Sequence, residues 1–255
     1  MTPLKENLEK LEGAIEQASR HAGRSRREVE LMAVSKTYPA ETIAEAAALG
    51  LHLFGENRVQ EFAAKAPELA SLRATGSNAA SDEPIRVHLI GHLQSNKALR
   101  AVELFDGIDS LDSLRLAERL HEAAGKPGKR LPVLIEVKLS PEETKAGLEP
   151  ESDETAALLE RLPDMNHLLV RGLMTIAPWG VVEDVTRACF RSLRQWRDRW
   201  AVAHPRLTLD VLSMGMSGDF PIAIEEGASR IRIGTALFGP RKKPGQPQSG
   251  EDDAA

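Results

Sequence analysis

Short apolar runs alternate with longer amphipathic segments along most of the chain. The runs that predict β-strands are 30–35, 51–54, 86–90, 105–108, 132–138, 167–174, 207–212 and 230–233. Between them, apolar residues recur three and four positions apart, as in AETIAEAAAL and SLRLAERLHEAA, which is typical of helices that bury one face. Residues 3 to about 20 have the same spacing and predict an additional helix before the first strand.

Strands that alternate with helices predict parallel pairing through right-handed crossovers. Eight such units without a break in composition favour a single closed (β/α)8 barrel of the TIM type. An open, doubly wound sheet is the alternative, and periodicity does not exclude it. We expect one barrel domain over residues 1–241, an exposed loop at 73–84, and a disordered tail at 242–255, where Pro, Gly and charged residues dominate.

Composition narrows the class of protein. The chain has 255 residues and a formal net charge of -5, which leaves no basic excess for binding nucleic acid. Its single cysteine, Cys189, excludes an intramolecular disulfide and is predicted to lie in the core. The charged N-terminal segment lacks the apolar centre of a signal peptide, and no run approaches the roughly 20 apolar residues of a membrane span. We therefore expect a cytoplasmic protein without a nucleic-acid or membrane partner.

Polar residues follow the predicted strands, at the barrel end where chemistry gathers in this fold. Lys36 follows the first strand, Asn57 the second, and Asp109 and Ser110 the fourth. His88 and His92 do not share a helical face, so a metal site is not expected there. The pattern as a whole predicts a ligand site at the carboxyl ends of the strands.

Two glycine-containing turns follow the last two strands, SMGMSGD at 213–219 and RIGT at 232–235. Backbone N–H groups at such turns, with hydroxyls beside them, suit a phosphate group. One such loop alone could simply turn the chain, but two on adjacent strands favour a phosphate site. Arg232 lies beside the second turn and is expected to contact the ligand, whereas Arg230 is expected to form a surface ion pair.

Lys36 stands at the end of the apolar run LMAVS, and two interpretations compete. Its ammonium group could simply extend into water, as most lysines at strand ends do. Alternatively, desolvation beside a cation such as Arg232 would favour the neutral amine. A neutral amine facing a phosphate pocket is what a Schiff base with a phosphorylated aldehyde requires. Pyridoxal 5′-phosphate (PLP) is the leading candidate for that ligand.

Several motifs resemble one family over residues 5–241: AVSKTYP, FGENRVQE, HLIGHLQSNK, GLMTIAP, LSMGMSGDF and RIRIGTALFGPR. They are similar to those of the YggS/PROSC family of pyridoxal phosphate homeostasis proteins. The resemblance implies a fold-type III PLP barrel like the N-terminal domain of alanine racemase, without the C-terminal β-domain. It also implies that Lys36 carries PLP as a Schiff base, that Asn57 lies near the ring and that Arg232 approaches the pyridine nitrogen. The phosphate ligands that it implies are Ser213, Ser217, Gly234 and Thr235. Which serine uses its side chain is left open.

The resemblance implies a carrier or regulator of PLP without established catalysis. An arginine beside the pyridine nitrogen would donate a hydrogen bond and leave the ring unprotonated, a weaker electron sink. Racemisation also needs a second acid or base, and the chain's one tyrosine, Tyr38, is two residues from Lys36. We therefore expect a non-catalytic, monomeric protein that buffers PLP or delivers it to apo forms of PLP-dependent enzymes. The alternatives are a weak amino-acid racemase or lyase, and a Schiff-base aldolase acting on a sugar phosphate.

Overall fold

Strands and helices alternate throughout residues 2–74, 83–140, 142 and 146–240, which the computed structural model describes. The strands are β1 Glu30–Val34, β2 Leu53–Glu56, β3 Arg86–Leu89, β4 Gly107–Leu111, β5 Leu131–Glu136, β6 Leu168–Met174, β7 Val211–Ser213 and β8 Arg230–Ile233. The helices are α1 Pro3–His21, α2 Ala40–Ala48, α3 Val59–Ala74, α4 Ala98–Leu104, α5 Leu114–Gly125, α6 Asp153–Arg161, α7 Glu183–Ala203, α8 Phe220–Glu225 and α9 Thr235–Phe238. Short 3-10 turns occur at Arg26–Glu28, Ser95–Lys97 and Leu162–Asp164.

The eight strands pair in chain order and close into a barrel. All pairs are parallel, and β8 returns to β1 with Glu30 opposite Arg230 and Ala33 opposite Ile233. This confirms the predicted (β/α)8 barrel, because an open sheet has two edge strands, whereas each of these strands pairs on both sides. The additional N-terminal helix is also confirmed, as α1. The predicted tail at 242–255 and most of the predicted loop at 73–84 lie outside the described residues.

Seven of the eight described strands differ from their predicted ranges in at least one bound, and β2, β4 and β7 differ most. β2 ends at Glu56, two residues later than expected, and β7 begins at Val211 and ends at Ser213, one residue later than expected. β4 covers Gly107–Leu111 rather than 105–108, since Phe105 instead caps the end of α4. The prediction that Asp109 and Ser110 follow β4 was therefore wrong, and both side chains are buried within the strand.

A polar cluster fills the amino-terminal end of the barrel. Arg230 donates from Nε to Glu30 Oε2 at 2.8 Å and from Nη1 to Asp109 Oδ2 at 3.0 Å. His88 Nδ1 lies 2.8 Å from Asp109 Oδ1. The imidazole has room because its neighbour on β4 is Gly107, where a Cβ would come within 2.6 Å of the ring. The ion pair expected of Arg230 exists, but it is buried and not at the surface.

The first and last helices cover the junction between β8 and β1. The buried residues Leu11 and Ile15 mark the inner face of α1, which packs against α8 and α9. Asn7 Nδ2 donates to the Leu237 carbonyl at 3.1 Å. Cys189 is buried in α7, as predicted. None of the described helices combines the length and the hydrophobicity that crossing a bilayer requires.

Candidate functional site

A cavity of about 710 Å³ opens at the carboxyl ends of the strands. Six of the predicted site residues line it: Lys36, Asn57, Ser217, Arg232, Gly234 and Thr235. Four further polar residues contribute to its wall: His92, Glu136, Lys138 and Ser140. Ser213 is buried beneath the cavity and is not among the lining residues. The closed barrel thus brings together groups that are up to 200 positions apart in the sequence.

Lys36 lies in the turn after β1, between two residues that a polar network holds in place. Ser35 donates its hydroxyl to Glu56 Oε1 at 2.7 Å, and Lys65 Nζ donates to the same oxygen at 2.9 Å. Lys65 Nζ also donates to the Ser35 carbonyl at 3.1 Å. Because Glu56 is fully buried, this ion pair fixes the end of β1 against β2, and with it the base of the turn that carries Lys36.

The residue after Lys36 has a strained backbone. Thr37 has a φ of 70°, in the left-handed region that residues with a Cβ rarely adopt. Its N–H donates to Glu61 Oε1, which also accepts from Lys65 Nζ at 2.8 Å. Backbone conformations of this kind persist where surrounding contacts determine them, and they cluster at functional sites. The turn therefore presents Lys36 to the cavity in a defined direction.

Asn57, which follows β2, lies against the loop after β3. A Cβ on Gly91 would come within 2.3 Å of the Asn57 carbonyl oxygen, so only glycine permits this approach. Asn57 and Gly91 both line the cavity. The sequence predicts that Asn57 lies at the carboxyl end of the barrel, and the structure places it there, in the wall of the cavity that Lys36 also lines.

Arg232 is buried in β8 and is held by three oxygens without a full charge. Its Nη1 donates to the Ser213 carbonyl at 2.7 Å and to the Ser213 hydroxyl at 3.0 Å. Its Nη2 donates to the Thr175 carbonyl at 2.8 Å. Among the described residues, no carboxylate forms an ion pair with Arg232, and burial lowers the pKa of its guanidinium. The cavity wall therefore contains a cation whose charge a bound anion would balance.

The loops after β7 and β8 meet at one side of the cavity. Gly215 has a φ of 94°, and a Cβ there would lie 2.6 Å from the Ala223 Cβ, so the tight approach of the loop to α8 requires glycine. The Ala236 N–H donates to the Ser217 hydroxyl at 3.2 Å, which joins the first loop to the start of α9. Gly234 and Thr235 stand at that start. The structure thus brings together the two turns for which the sequence predicts a phosphate site, and phosphate binding there stays a prediction.

Glu136, at the end of β5, is a candidate that sequence reasoning missed. It is 5% exposed, and burial together with the charge of Asp112 raises its pKa to about 7. Its Oε2 has no hydrogen-bond partner among the described residues. A signal was present in the sequence, since Glu136 is the one acid within the apolar run PVLIEV. A lone buried acid in such a run has either a partner or a function.

The arrangement as a whole suits an anionic ligand with a carbonyl group. An amine (Lys36), a buried guanidinium (Arg232) and two turns with hydroxyls converge in one cavity. The amine can condense with a carbonyl, and the turns and the cation can bind an oxyanion. Within the described residues, no group of three His, Cys, Asp or Glu side chains could hold a metal ion.

Comparison with known proteins agrees with this geometry. The family model for the N-terminal domain of alanine racemase matches residues 7–242. The pyridoxal phosphate homeostasis protein of Pseudomonas aeruginosa is 41% identical over 243 residues, covering 94% of this chain and 97% of that protein. The protein of the same name from Escherichia coli is 40% identical over 243 residues, covering 94% and 98%.

Solved structures show the same relationship. PipY of Synechococcus elongatus, determined with PLP bound, has a TM-score of 0.76 and 43% identity, and the match covers 89% of this chain and all of PipY. Alanine racemase of Clostridium difficile matches with a TM-score of 0.69 at 15% identity, and the match covers 95% of this chain and 57% of the racemase. At that identity, the likeness shows the fold alone.

The fold and the matched residues place the chain in the alanine racemase N-terminal domain family of barrels. Within it, the chain belongs to the family of pyridoxal phosphate homeostasis proteins.

Proposed function

We propose that this protein binds PLP and takes part in PLP homeostasis, as a buffer or delivery protein and not as a catalyst. One observation carries the proposal: Lys36, Arg232 and the loops after β7 and β8 line a single cavity. The PLP-bound structure of PipY, at 43% identity over its whole chain, supports the choice of ligand. The names of the bacterial relatives support the role in homeostasis.

Each residue has a distinct part in this proposal. The Nζ amine of Lys36 attacks the aldehyde carbon of PLP, a C=N bond forms, and water leaves. Ser217, Gly234 and Thr235 bind the phosphate through hydroxyl and backbone N–H groups, and Asn57 lies beside the ring. Arg232 donates to the pyridine nitrogen. Ser213 acts through Arg232, because its hydroxyl accepts a hydrogen bond from the guanidinium at 3.0 Å. Ser217 lines the cavity and is therefore the serine of this loop that contacts the ligand.

The fit of PLP rests on features of this chain. The ligand carries a phosphate, which matches the Gly215 turn and the start of α9. It carries an aldehyde, which matches the amine of Lys36. It is an anion, and the cavity wall contains a buried cation, Arg232, that no described carboxylate pairs. When bound, PLP supplies a reactive aldehyde and an aromatic ring that accepts electrons.

The test is a titration of the purified protein with PLP, followed by visible absorption, borohydride reduction and peptide mass analysis. We expect a yellow complex with the reduced adduct on Lys36. The variant Lys36→Ala should lose the absorption band, whereas Lys138→Ala, which removes another lysine from the same cavity wall, should keep it. A colourless mixture, or an adduct on Lys138, would contradict the proposal.

A second function, weak amino-acid racemisation or elimination, is favoured by one observation. The sequence contains no second tyrosine to act as a base, but Glu136 lines the cavity with a pKa of about 7. Such a carboxyl group could exchange protons near neutral pH. Incubation of the PLP-loaded protein with amino acids in D2O separates the two functions by NMR. A carrier leaves the α-proton in place, and exchange that is lost in Glu136→Gln would establish catalysis.

Delivery predicts faster reconstitution of a PLP-dependent apo-enzyme from the loaded protein than from the same concentration of free PLP. Buffering alone predicts reconstitution no faster than release into solution. Sedimentation of the loaded and unloaded protein tests whether it is the monomer that we propose.

A further inference from the structure

Glu136 occupies the side of the cavity that the roles proposed for Lys36, Arg232 and the two loops leave unassigned. It ends β5, the strand diametrically opposite β1 in the closed barrel. Its side chain is 95% buried, yet it lines the cavity that Lys36 and Arg232 share. Its Oε2 has no hydrogen-bond partner among the described residues. A buried carboxylate with an unpaired oxygen is costly, so this position favours the neutral acid.

The charges around Glu136 come from three neighbouring elements. Asp112, after β4, opposes ionisation of Glu136. The Oδ2 atom of Asp112 lies 2.8 Å from the Nδ1 atom of His92. Arg232 from β8 and His92 from the loop after β3 both favour the charged form. Lys36 and Lys138 line the same cavity. Burial and Asp112 outweigh the cations, and the pKa of Glu136 rises to about 7.

We propose that Glu136 contacts the bound ligand as a neutral hydrogen-bonding group, so that an anionic ligand enters the cavity together with a proton on Glu136. This inference rests on the proposed function, since it takes the ligand to be a phosphorylated B6 compound. Glu136 thereby couples the affinity for an anionic ligand to pH.

The direction of the coupling follows from charge. A phosphorylated ligand brings negative charge into the cavity, which makes ionisation of Glu136 less favourable than in the free protein. Binding near neutral pH therefore takes up a proton. By linkage, the affinity is independent of this group below pH 7 and falls about tenfold for each pH unit above it.

The test uses pyridoxine 5′-phosphate, which lacks the aldehyde and so removes the condensation with Lys36 from the measurement. Its dissociation constant is measured by calorimetry from pH 6 to pH 8.5 for the natural protein and for Glu136→Gln, which is neutral at every pH. The ratio of the two constants cancels the titration of the ligand itself. We expect similar affinities at pH 6 and about thirtyfold tighter binding by Glu136→Gln at pH 8.5.

Proton uptake gives an independent measurement. Calorimetry at pH 7.5 in buffers of different ionisation enthalpy should show net proton uptake by the natural protein beyond that of Glu136→Gln. Asp112→Asn should move the pH at which the two affinities diverge downward, because it removes a negative charge beside Glu136. His92→Gln should move it upward, because it removes a group that favours the charged form of Glu136.

Parallel affinity profiles for the natural protein and Glu136→Gln would overturn the inference, as would tighter binding by the natural protein at high pH. Thermal unfolding of Glu136→Gln checks that the variant is folded. If PLP forms its adduct on Lys36 but the profiles are parallel, this inference alone fails. If PLP forms no complex with the natural protein, the proposed function fails first.

Discussion

Two arginines, two residues apart on β8, serve opposite ends of the barrel. Arg230, at the amino-terminal end, lies between the carboxylates of Glu30 and Asp109. Arg232, at the carboxyl end, donates to uncharged oxygens of Ser213 and Thr175, and within the described residues no carboxylate accepts from it. One cation has carboxylate partners in direct contact, and the other has none in direct contact among the described residues. We therefore expect the same residue type to stabilise the fold at one end and to contribute to a binding site at the other.

The carboxylates differ in the same way. At the amino-terminal end, the hydrogen bond with His52 and the charges of Arg230 and Arg86 lower the pKa of Glu30 to about 2, against the effect of burial. His88 and Arg230 lower the pKa of Asp109, again against burial. At the carboxyl end, burial raises the pKa of Glu136 to about 7. Direct partners thus stabilise the charged forms of Glu30 and Asp109, whereas burial disfavours the charged form of Glu136.

The largest expected effect comes from removing the paired cation. Arg230→Met removes the cation from which Asp109 Oδ2 and Glu30 Oε2 accept hydrogen bonds inside the barrel, which should lower the free energy of unfolding by about 3–5 kcal/mol. Chemical denaturation measures this loss. A loss below about 1 kcal/mol would show that the two ends do not differ in the way described.

The pH dependence of stability should have opposite signs at the two ends. Glu30 has a lowered pKa, so its contribution is complete above about pH 4.5 and is lost as the pH falls toward 2. Glu136 has a raised pKa, so its contribution is complete below about pH 4.5 and is lost as the pH rises toward 7. Each shift corresponds to a free energy on the order of 3 kcal/mol.

Glu136→Gln isolates the second of these effects. We expect the variant to gain stability over the natural protein between pH 4.5 and 7 and to keep that gain above pH 7. Denaturation curves at intervals across this range measure the difference. A constant difference at all pH values would contradict the raised pKa.

Removing the unpaired cation should affect binding more than stability. Arg232→Met removes the guanidinium that donates to the Ser213 hydroxyl and to the Ser213 and Thr175 carbonyls, which costs about 1–3 kcal/mol of unfolding free energy, but it also removes a buried charge. The affinity for PLP should fall roughly ten- to a hundredfold, as expected for losing one hydrogen bond to a charged group. Arg230→Met, provided that it is folded at the assay temperature, should bind PLP far more tightly than Arg232→Met.

The smallest expected effect is that of Ser213→Ala. The variant removes one acceptor for Arg232, the hydroxyl at 3.0 Å, and keeps the backbone carbonyl at 2.7 Å. A loss of about 1 kcal/mol in stability and a few-fold loss in PLP affinity are expected. If Ser213 contacted the phosphate directly, the affinity would fall as far as in Ser217→Ala, which serves as the control.

The barrel could be predicted from the sequence because its signals are local. Each βα unit has its own apolar period, and the turns after β7 and β8 have their own glycines. The limits of β4 could not be predicted in this way. In the sequence, a charged residue such as Asp109 indicates a loop. Asp109 lies within β4 because Arg230, 121 positions later, pairs with it inside the barrel.

Six of the seven predicted site residues line one cavity at the carboxyl ends of the strands, Lys36, Asn57 and Arg232 among them, whereas Ser213 does not line it. Their contacts with a ligand stay predictions. Glu136 was missed because its significance depends on what surrounds it. The sequence shows an acid at the end of an apolar strand. Only the closed barrel shows that Asp112 is near Glu136 and that the Glu136 Oε2 atom has no hydrogen-bond partner among the described residues.

The closure of β8 on β1 also determines when the binding site comes into existence. The Tyr38 hydroxyl, beside Lys36, donates to the Gly239 carbonyl, and these residues are 201 positions apart. At a synthesis rate of roughly 5–20 residues per second, the second half of the site leaves the ribosome about 10–40 s after the first. A chain still being made therefore exposes Lys36 before the loops after β7 and β8 exist. A ligand can meet the complete cavity only after synthesis has passed those loops.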